Sequence, residues 1–132
     1  MTVGGGLVKS WASTQGSTAL SSGEAEYYAI VKGACEGLGL KQVMQDMGVK
    51  VAVRVWVDSS TAKSIAERIG LGKVRHMDVR YLWLQEVRRG GRVKIVKIKG
   101  EDNPADIMTK PKGIDEIKRL TSRVGVQLQV KT

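Results

Sequence analysis

Cysteine, histidine and long apolar runs are scarce in this 132-residue sequence. Cys35 is the single cysteine, so the chain cannot form an internal disulfide, which favours a reducing compartment inside the cell, cytoplasm or nucleus. His76 is the single histidine and, even with Asp78 nearby, offers too few ligands for a metal site. No apolar run approaches the ~20 residues that span a bilayer, and the N-terminal stretch lacks the apolar region of a signal peptide. We therefore expect no membrane partner.

Charge is abundant and unevenly placed. The formal net charge is +9. Residues 1–60 hold five Lys/Arg and five Asp/Glu, whereas residues 61–132 hold seventeen Lys/Arg and eight Asp/Glu. This asymmetry predicts a polyanionic partner, nucleic acid first, although a basic surface that only keeps the protein soluble would give the same count.

Local patterns predict an alternation of strands and helices. We expect strands over 7–14, 51–58 and 92–99, and helices over 22–46, 59–69, 75–89 and 114–125, with a short helix beginning at Pro104. The apolar strand 51–58, which contains Trp56, is expected to be buried on both faces. The alternation predicts an α/β domain with a parallel central pair of strands. We expect the domain to cover 1–112, followed by a C-terminal helix and tail over 113–132.

Two glutamates begin the long helix. Ser21 and Glu24 have the spacing of a capping box. A helical wheel places Glu26 at the head of an apolar stripe that continues through Ile30 and Gly37, and places Glu24 on the opposite side. An ionised carboxylate on an apolar face is costly, so Glu26 is a candidate functional group. The alternative is a carboxylate at the rim of the sheet that reaches water near the positive end of the helix.

Two aspartates sit at comparable places. Asp58 ends the apolar strand 51–58, where open α/β sheets bind ligands. Its alternative role is to cap the next helix, but Ser59, Ser60 and Thr61 could do this instead. Asp106 lies in the first turn of the short helix that begins at Pro104. Its alternative role, which would be sufficient, is to stabilise that helix by interacting with the positive end of the helix dipole. Three carboxylates on one α/β scaffold suit hard cations such as Mg²⁺ or Mn²⁺.

Basic residues gather around the strand predicted over 92–99. Such a cluster either binds phosphates or forms a solvated face. The candidate nucleic-acid-binding residues are Arg75, Arg88, Arg89, Arg92, Lys94, Lys97 and Lys99.

Three stretches occur in order: KSWASTQGSTALSSGEAEYYAI, VWVDSSTAKSIA and RHMDVRYLWLQEVRRGGRVKIVKIKGEDNPADIMTKP. Over residues 7–112 the chain resembles the ribonuclease H domain at the C-terminal end of copia-type LTR retrotransposon polyproteins. The resemblance implies a ribonuclease H-like mixed sheet flanked by helices, and a two-metal site for Mg²⁺ or Mn²⁺. It assigns Glu26, Asp58 and Asp106 to the catalytic, metal-binding carboxylates that cleave the RNA strand of an RNA/DNA hybrid, and it implies a reverse transcriptase upstream in the same polyprotein.

The same resemblance implies that part of the family's sheet and one catalytic aspartate are missing. The family's first strand, with its catalytic aspartate, and most of the second have no counterpart here, so we expect the isolated chain to be weakly active or inactive. The alternative is a non-catalytic module, derived from a retrotransposon, that binds nucleic acid or protein. Without the first strand, strand 51–58 has an exposed edge. Either strand 7–14 fills the gap or two copies pair as a homodimer, and we favour the homodimer.

Overall fold

The structure, a computed structural model, describes residues 1–13, 19–72 and 79–126. Two compact units contain them. Residues 19–72 and 79–98 form what we call the central unit, and residues 1–13 and 99–126 form the terminal unit. The predicted boundary at residue 112 stays a prediction.

Four strands and four α-helices make up the regular structure of the described residues. The strands are β1 (Thr2–Val3), β2 (Gly6–Leu7), β3 (Val53–Val57) and β4 (Val93–Lys97). The helices are α1 (Ser22–Asp46), α2 (Ser60–Glu67), α3 (Trp83–Arg89) and α4 (Ile114–Arg123), with 3₁₀ helices at Val79–Leu82, Gly100–Asp102 and Pro104–Met108. This mixture confirms the α/β class. None of the described helices is both long enough and apolar enough to cross a membrane.

Helix α1 has the bounds that its end signals predict. The Ser21 side chain accepts a hydrogen bond from the backbone N–H of Glu24 at 3.3 Å, which satisfies one of the free N–H groups of the first turn. After the helix, Gly48 has a φ of 82°, a left-handed conformation that glycine adopts without a steric penalty. Both ends are therefore fixed by local chemistry.

Strands β3 and β4 pair in parallel, as predicted. The register joins Val53 to Val93 and Val57 to Lys97. Side chains alternate along each strand, so Val57 and Ile95 are buried on one face while the other face is largely exposed.

The expectation that this strand is buried on both faces is therefore wrong. Trp56, expected in the core, is 54% exposed. An apolar sequence is necessary for burial, but a second layer must also cover the face, and the helices of the central unit cover only one.

The core of the central unit lies between the sheet and helices α1, α2 and α3. Tyr27, Ala34, Ile65 and Leu84 are among its buried side chains. Gly37 lets α1 approach β3 closely, because a Cβ at this position would lie 2.8 Å from Cγ1 of Val53. This packing fixes α1 against the strand that precedes Asp58.

The predicted helix over 75–89 is confirmed only in its later part. Val79–Leu82 is a 3₁₀ helix and Trp83–Arg89 is α3, whereas residues 75–78 lie outside the described residues. Buried Gln85 stabilises this region by donating hydrogen bonds to the carbonyls of Ile65 and Gly70 and accepting one from the Gly70 N–H. These bonds join α3 to the end of α2.

The terminal unit begins with a short hairpin. Gly4 and Gly5 have positive φ angles and turn the chain between β1 and β2, which pair antiparallel. The strand predicted over 7–14 is wrong for residues 8–13, which form no strand; residue 14 lies outside the described residues. The N–H groups of Val8 and Lys9 both bond to the carbonyl of Met1, so the ladder ends there.

The rest of the terminal unit follows its predictions closely. Asn103 caps the 3₁₀ helix Pro104–Met108 through its side-chain oxygen, 3.1 Å from the Ala105 N–H. In α4, Arg119 and Arg123 each lie 3.1 Å from a carboxylate oxygen of Asp102. These ion pairs join α4 to the segment that follows β4.

Candidate functional site

The two glutamates of α1 have the reverse of the predicted burial. Glu24 is 4% exposed, and its carboxylate accepts a hydrogen bond from the Leu20 N–H at 3.3 Å. Glu26 is exposed. The helical wheel was wrong because the buried arc of α1 is centred on Tyr27 and Val31, and Glu26 lies beyond its edge. The exposure of Glu26 agrees with the alternative interpretation, in which its carboxylate reaches water.

Asp58 occupies its predicted place. It follows the last residue of β3 and is partly buried. Ser59, one of the three candidate caps, caps α2 by accepting a hydrogen bond from the Ala62 N–H at 3.1 Å, so Asp58 is not needed as the cap. Its backbone carbonyl accepts a hydrogen bond from the ammonium group of Lys97. This hydrogen bond joins the carboxyl ends of the two parallel strands.

The starts of α1 and α2 lie together. A Cβ added at Gly23 would lie 2.5 Å from Cγ2 of Thr61, so the two first turns are in close contact. Glu26 is one turn along α1, and Asp58 precedes α2 by two residues. The fold therefore brings the elements that carry these two carboxylates to the same end of the central unit.

Asp106 belongs to the terminal unit and is 8% exposed. Its carboxylate lies 3.1 Å from the ammonium group of Lys110 and 4.0 Å from that of Lys112. Lys112 also pairs with Glu116 at 2.6 Å. Two cations thus compensate the buried charge of Asp106, which is what a buried carboxylate requires.

Two of the three acids have surroundings that do not favour metal binding. Among the described residues, no group of three or more His, Cys, Asp or Glu side chains could hold one. Asp106 already has lysine partners, and Glu26 faces solvent. We therefore assign no chemical step to a bound Mg²⁺ or Mn²⁺, and shared metal binding stays a prediction.

Four of the predicted basic residues line two clefts that share Lys94. Arg92 and Lys94 line a cleft of about 480 Å³. Arg88, Arg89 and Lys94 line a second cleft of about 570 Å³, in which Glu67 lies 3.9 Å from Arg88. The fold thus brings together four of the seven predicted nucleic-acid-binding residues.

The remaining three are placed differently. Lys97 is exposed and donates to the carbonyl of Asp58. Lys99 is exposed and belongs to the terminal unit. Arg75 lies outside the described residues, as does His76.

Sequence reasoning missed three cations that share the first cleft with Arg92 and Lys94. They are Lys41, Lys50 and Arg54. All three come from residues 1–60, where charges cancel in number, so the charge count gave no signal for them. The alternation of β3 does give one for Arg54, since Val53 and Val55 on either side must face the opposite way.

The chain is similar to part of a retrotransposon polyprotein. The chain is 33% identical over 111 residues to the retrovirus-related Pol polyprotein from transposon TNT 1-94 of Nicotiana tabacum. The match covers 83% of this chain but only 8% of that polyprotein. No family model matches the chain. No solved structure matches it. The similarity supports an origin of this chain in a retrotransposon polyprotein.

Proposed function

We propose that this chain is a ribonuclease H-type domain of a retrotransposon polyprotein that binds RNA/DNA hybrids and, in isolation, cleaves them weakly or not at all. The observation that carries the proposal is the gathering of Arg88, Arg89, Arg92 and Lys94 around β4 in a chain similar to a transposon Pol polyprotein. Cationic side chains gathered on one surface bind the phosphates of nucleic acid without regard to sequence.

The parallel strand pair supports the same proposal. In an open α/β sheet the ligand approaches the carboxyl ends of the strands, which is where Asp58 follows β3. Lys97 at the end of β4 lies against the backbone of Asp58 and adds a positive charge to this edge. A phosphodiester near this edge would therefore meet both a carboxylate and a cation.

Weak or absent cleavage follows from the same geometry. Phosphodiester hydrolysis requires groups that stabilise charge on oxygens that are already anionic. Asp106 is held by Lys110 and Lys112 and is not presented to a ligand as a free carboxylate. This observation also favours the second candidate function, a non-catalytic module that binds nucleic acid. In both cases we propose that a reverse transcriptase belongs to the same polyprotein.

A hydrolysis assay separates the two functions. An RNA/DNA hybrid labelled on its RNA strand is incubated with the chain and Mg²⁺ or Mn²⁺, with an unpaired RNA of the same sequence as the substrate control. Asp58→Asn is the matched variant, because it removes a charge while preserving shape. Slow cleavage of the hybrid that Asp58→Asn abolishes supports a weak ribonuclease H. Binding without cleavage in either protein supports the non-catalytic module. No binding of the hybrid would overturn the proposal.

A further inference from the structure

We propose that the cleft at the amino-terminal ends of β3 and β4, together with the exposed face of β3, forms a second nucleic-acid site, which binds a single strand through phosphates in the 480 Å³ cleft and a base stacked on Trp56. It shares Arg92 and Lys94 with the hybrid-binding surface but does not depend on hydrolysis. We call it the strand-start site. It consists of Lys41, Lys50, Arg54, Trp56, Arg92 and Lys94.

The cleft is strongly cationic. Five of the residues that line it are lysine or arginine, and none is acidic. They come from α1, from the segments that precede β3 and β4, and from the two strands, so the fold assembles them from separate parts of the chain. Like charges repel one another, and a polyanion that enters the cleft relieves that repulsion.

The cations of the cleft are not neutralised by neighbours. Among the described residues, none of the five forms an ion pair. Elsewhere in the central unit, by contrast, Lys63 lies 2.8 Å from Glu67, and Arg88 lies 3.9 Å from the same carboxylate. Phosphates of a ligand would thus be the first anions that these five side chains meet.

Trp56 stands on the open face of the sheet beside these cations. The register pairs Arg54 with Lys94 and Trp56 with Val96. Paired residues, and residues two apart on a strand, share a face, so Arg54, Trp56 and Lys94 project from the same side. The Trp56 side chain is 54% exposed. A large exposed aromatic ring bordered by cations is the arrangement that binds single-stranded nucleic acid.

The aromatic ring decides between ligands. In a duplex the faces of the bases are stacked on one another, so a tryptophan on an open sheet has access to them only in an unpaired strand. A free polyphosphate would occupy the cleft but would gain nothing from Trp56. The chemistry of both parts together is that of a single strand.

The phosphate-binding cleft of the strand-start site is separate from Asp58. The cleft is lined by residues 51–54, at the amino end of β3, whereas Asp58 follows its carboxyl end. At about 3.3 Å per residue, Val53 and Val57 are roughly 13 Å apart. Phosphates in the cleft therefore leave Asp58 uncovered, whereas the base on Trp56 lies only two residues along the chain from it.

The test measures binding of a fluorescently labelled 15-nucleotide oligothymidylate by anisotropy, in EDTA. One variant removes three cleft charges (Lys41→Gln, Lys50→Gln and Arg54→Gln). Its matched control removes three exposed charges elsewhere (Lys9→Gln, Lys32→Gln and Lys118→Gln). We expect the cleft variant to bind at least tenfold more weakly and the control to stay within about threefold of the wild type. If the cleft variant and the control weaken oligothymidylate binding equally, the cleft is not the phosphate-binding site.

Trp56 is tested separately. Trp56→Ala is expected to weaken binding about fivefold or more, as loss of one base stack does, and Trp56→Phe to restore part of the loss. An abasic oligonucleotide of the same length should bind wild type and Trp56→Ala equally. Equal binding of oligothymidylate by the wild type and Trp56→Ala would overturn the role of Trp56. Tripolyphosphate should compete with oligothymidylate less well in the cleft variant than in the wild type, and equal competition in both would overturn the cleft.

The EDTA condition separates this inference from hydrolysis. Loss of hybrid cleavage in the earlier assay leaves single-strand binding in EDTA unaffected and overturns only the enzymatic part of the proposed function. Retained hybrid binding with no oligothymidylate binding overturns only the strand-start site. Circular dichroism of each variant confirms that the fold is intact before either conclusion is drawn.

Discussion

Tyr27 is a buried side chain whose protonation is strongly perturbed by the fold. It is fully buried, and its hydroxyl group donates a hydrogen bond to the backbone carbonyl oxygen of Tyr81. Burial raises the pKa of Tyr27 to about 12, an effect that the positive charge of Arg68 opposes. The folded state therefore keeps this proton at pH values where an unfolded chain loses it.

We expect this proton to make stability fall in alkali. Unfolded tyrosine ionises near pH 10, so the contribution of Tyr27 is intact below pH 10 and is lost as the pH rises from about 10 to about 12. The loss amounts to roughly 2–3 kcal/mol, at about 1.4 kcal/mol per pKa unit. Urea unfolding of wild type and Tyr27→Phe at pH 7 to 11.5 tests this.

The Tyr27→Phe variant isolates the effect from the other groups that titrate in alkali. At pH 7 it should be about 1 kcal/mol less stable, for the lost hydrogen bond. Above pH 10 the difference should shrink and change sign, because phenylalanine carries no proton to lose. A constant difference from pH 7 to 11.5 would contradict the expectation.

Metal binding by Glu26, Asp58 and Asp106 is a second prediction at this scale. Because Asp106 has lysine partners and Glu26 is exposed, we expect weak Mn²⁺ binding. Asp58→Asn should weaken it threefold or more, since a carboxylate is a far better ligand for a hard cation than an amide. Mn²⁺ titration followed by electron paramagnetic resonance measures this. Equal affinity in both proteins would remove Asp58 from the set of ligands.

At the scale of the element, the contact between α1 and β3 depends on the absence of a side chain at Gly37. A Cβ there would lie 2.8 Å from Val53, whereas one at Gly39 would have no neighbour within 4 Å. Gly37→Ala should therefore destabilise the fold by about 1–3 kcal/mol through overpacking. Gly39→Ala should stabilise it by up to about 1 kcal/mol, because alanine is the better helix former.

Chemical denaturation of the two variants decides the point. They have the same composition and differ only in which face of α1 receives the methyl group. If both substitutions stabilise the protein equally, α1 does not approach β3 as closely as the structure shows. The comparison thus tests the packing that positions the strand before Asp58.

The elements were predictable where the signal is local. The cap at Ser21, the glycine at 48 and the apolar run of β3 predicted α1 and the parallel pair. The exposure of Trp56 and the burial of Glu24 were not predictable, because they depend on which faces other elements cover. Residues 8–13 contain strand-forming residues but lack a paired neighbour. Arg88, Arg89, Arg92 and Lys94 were found from their clustering in sequence, whereas Lys41 and Lys50 become neighbours of Arg92 only in the fold.

At the scale of the whole molecule, β3 has an open edge. β4 pairs with one side of it, and among the described residues no strand pairs with the other. Val57 accepts a bond from the Ile98 N–H, so alternation turns the backbone groups of Arg54 and Trp56 toward the open edge. Unpaired backbone groups of this kind invite pairing with a second copy. The predicted homodimer through this edge therefore stays open to test.

We expect self-association at micromolar concentration in light scattering. Arg54→Pro should reduce it, because proline removes an N–H from the open edge and no bond between β3 and β4. Arg54→Gln, which keeps the N–H, is the control for loss of charge. A monomer at every concentration, or equal association of both variants, would contradict the homodimer.

The central claim is that the basic surface beside β4 binds nucleic-acid phosphates. Its most direct test is to measure the affinity for an RNA/DNA hybrid as a function of salt concentration, without divalent metal. We predict a linear fall of log affinity with log salt, because bound phosphates release counterions. Replacing Arg88, Arg89 and Arg92 together with glutamine should reduce the slope by about 2–3, close to 0.9 for each lost phosphate contact. An equal slope for wild type and variant would contradict the claim.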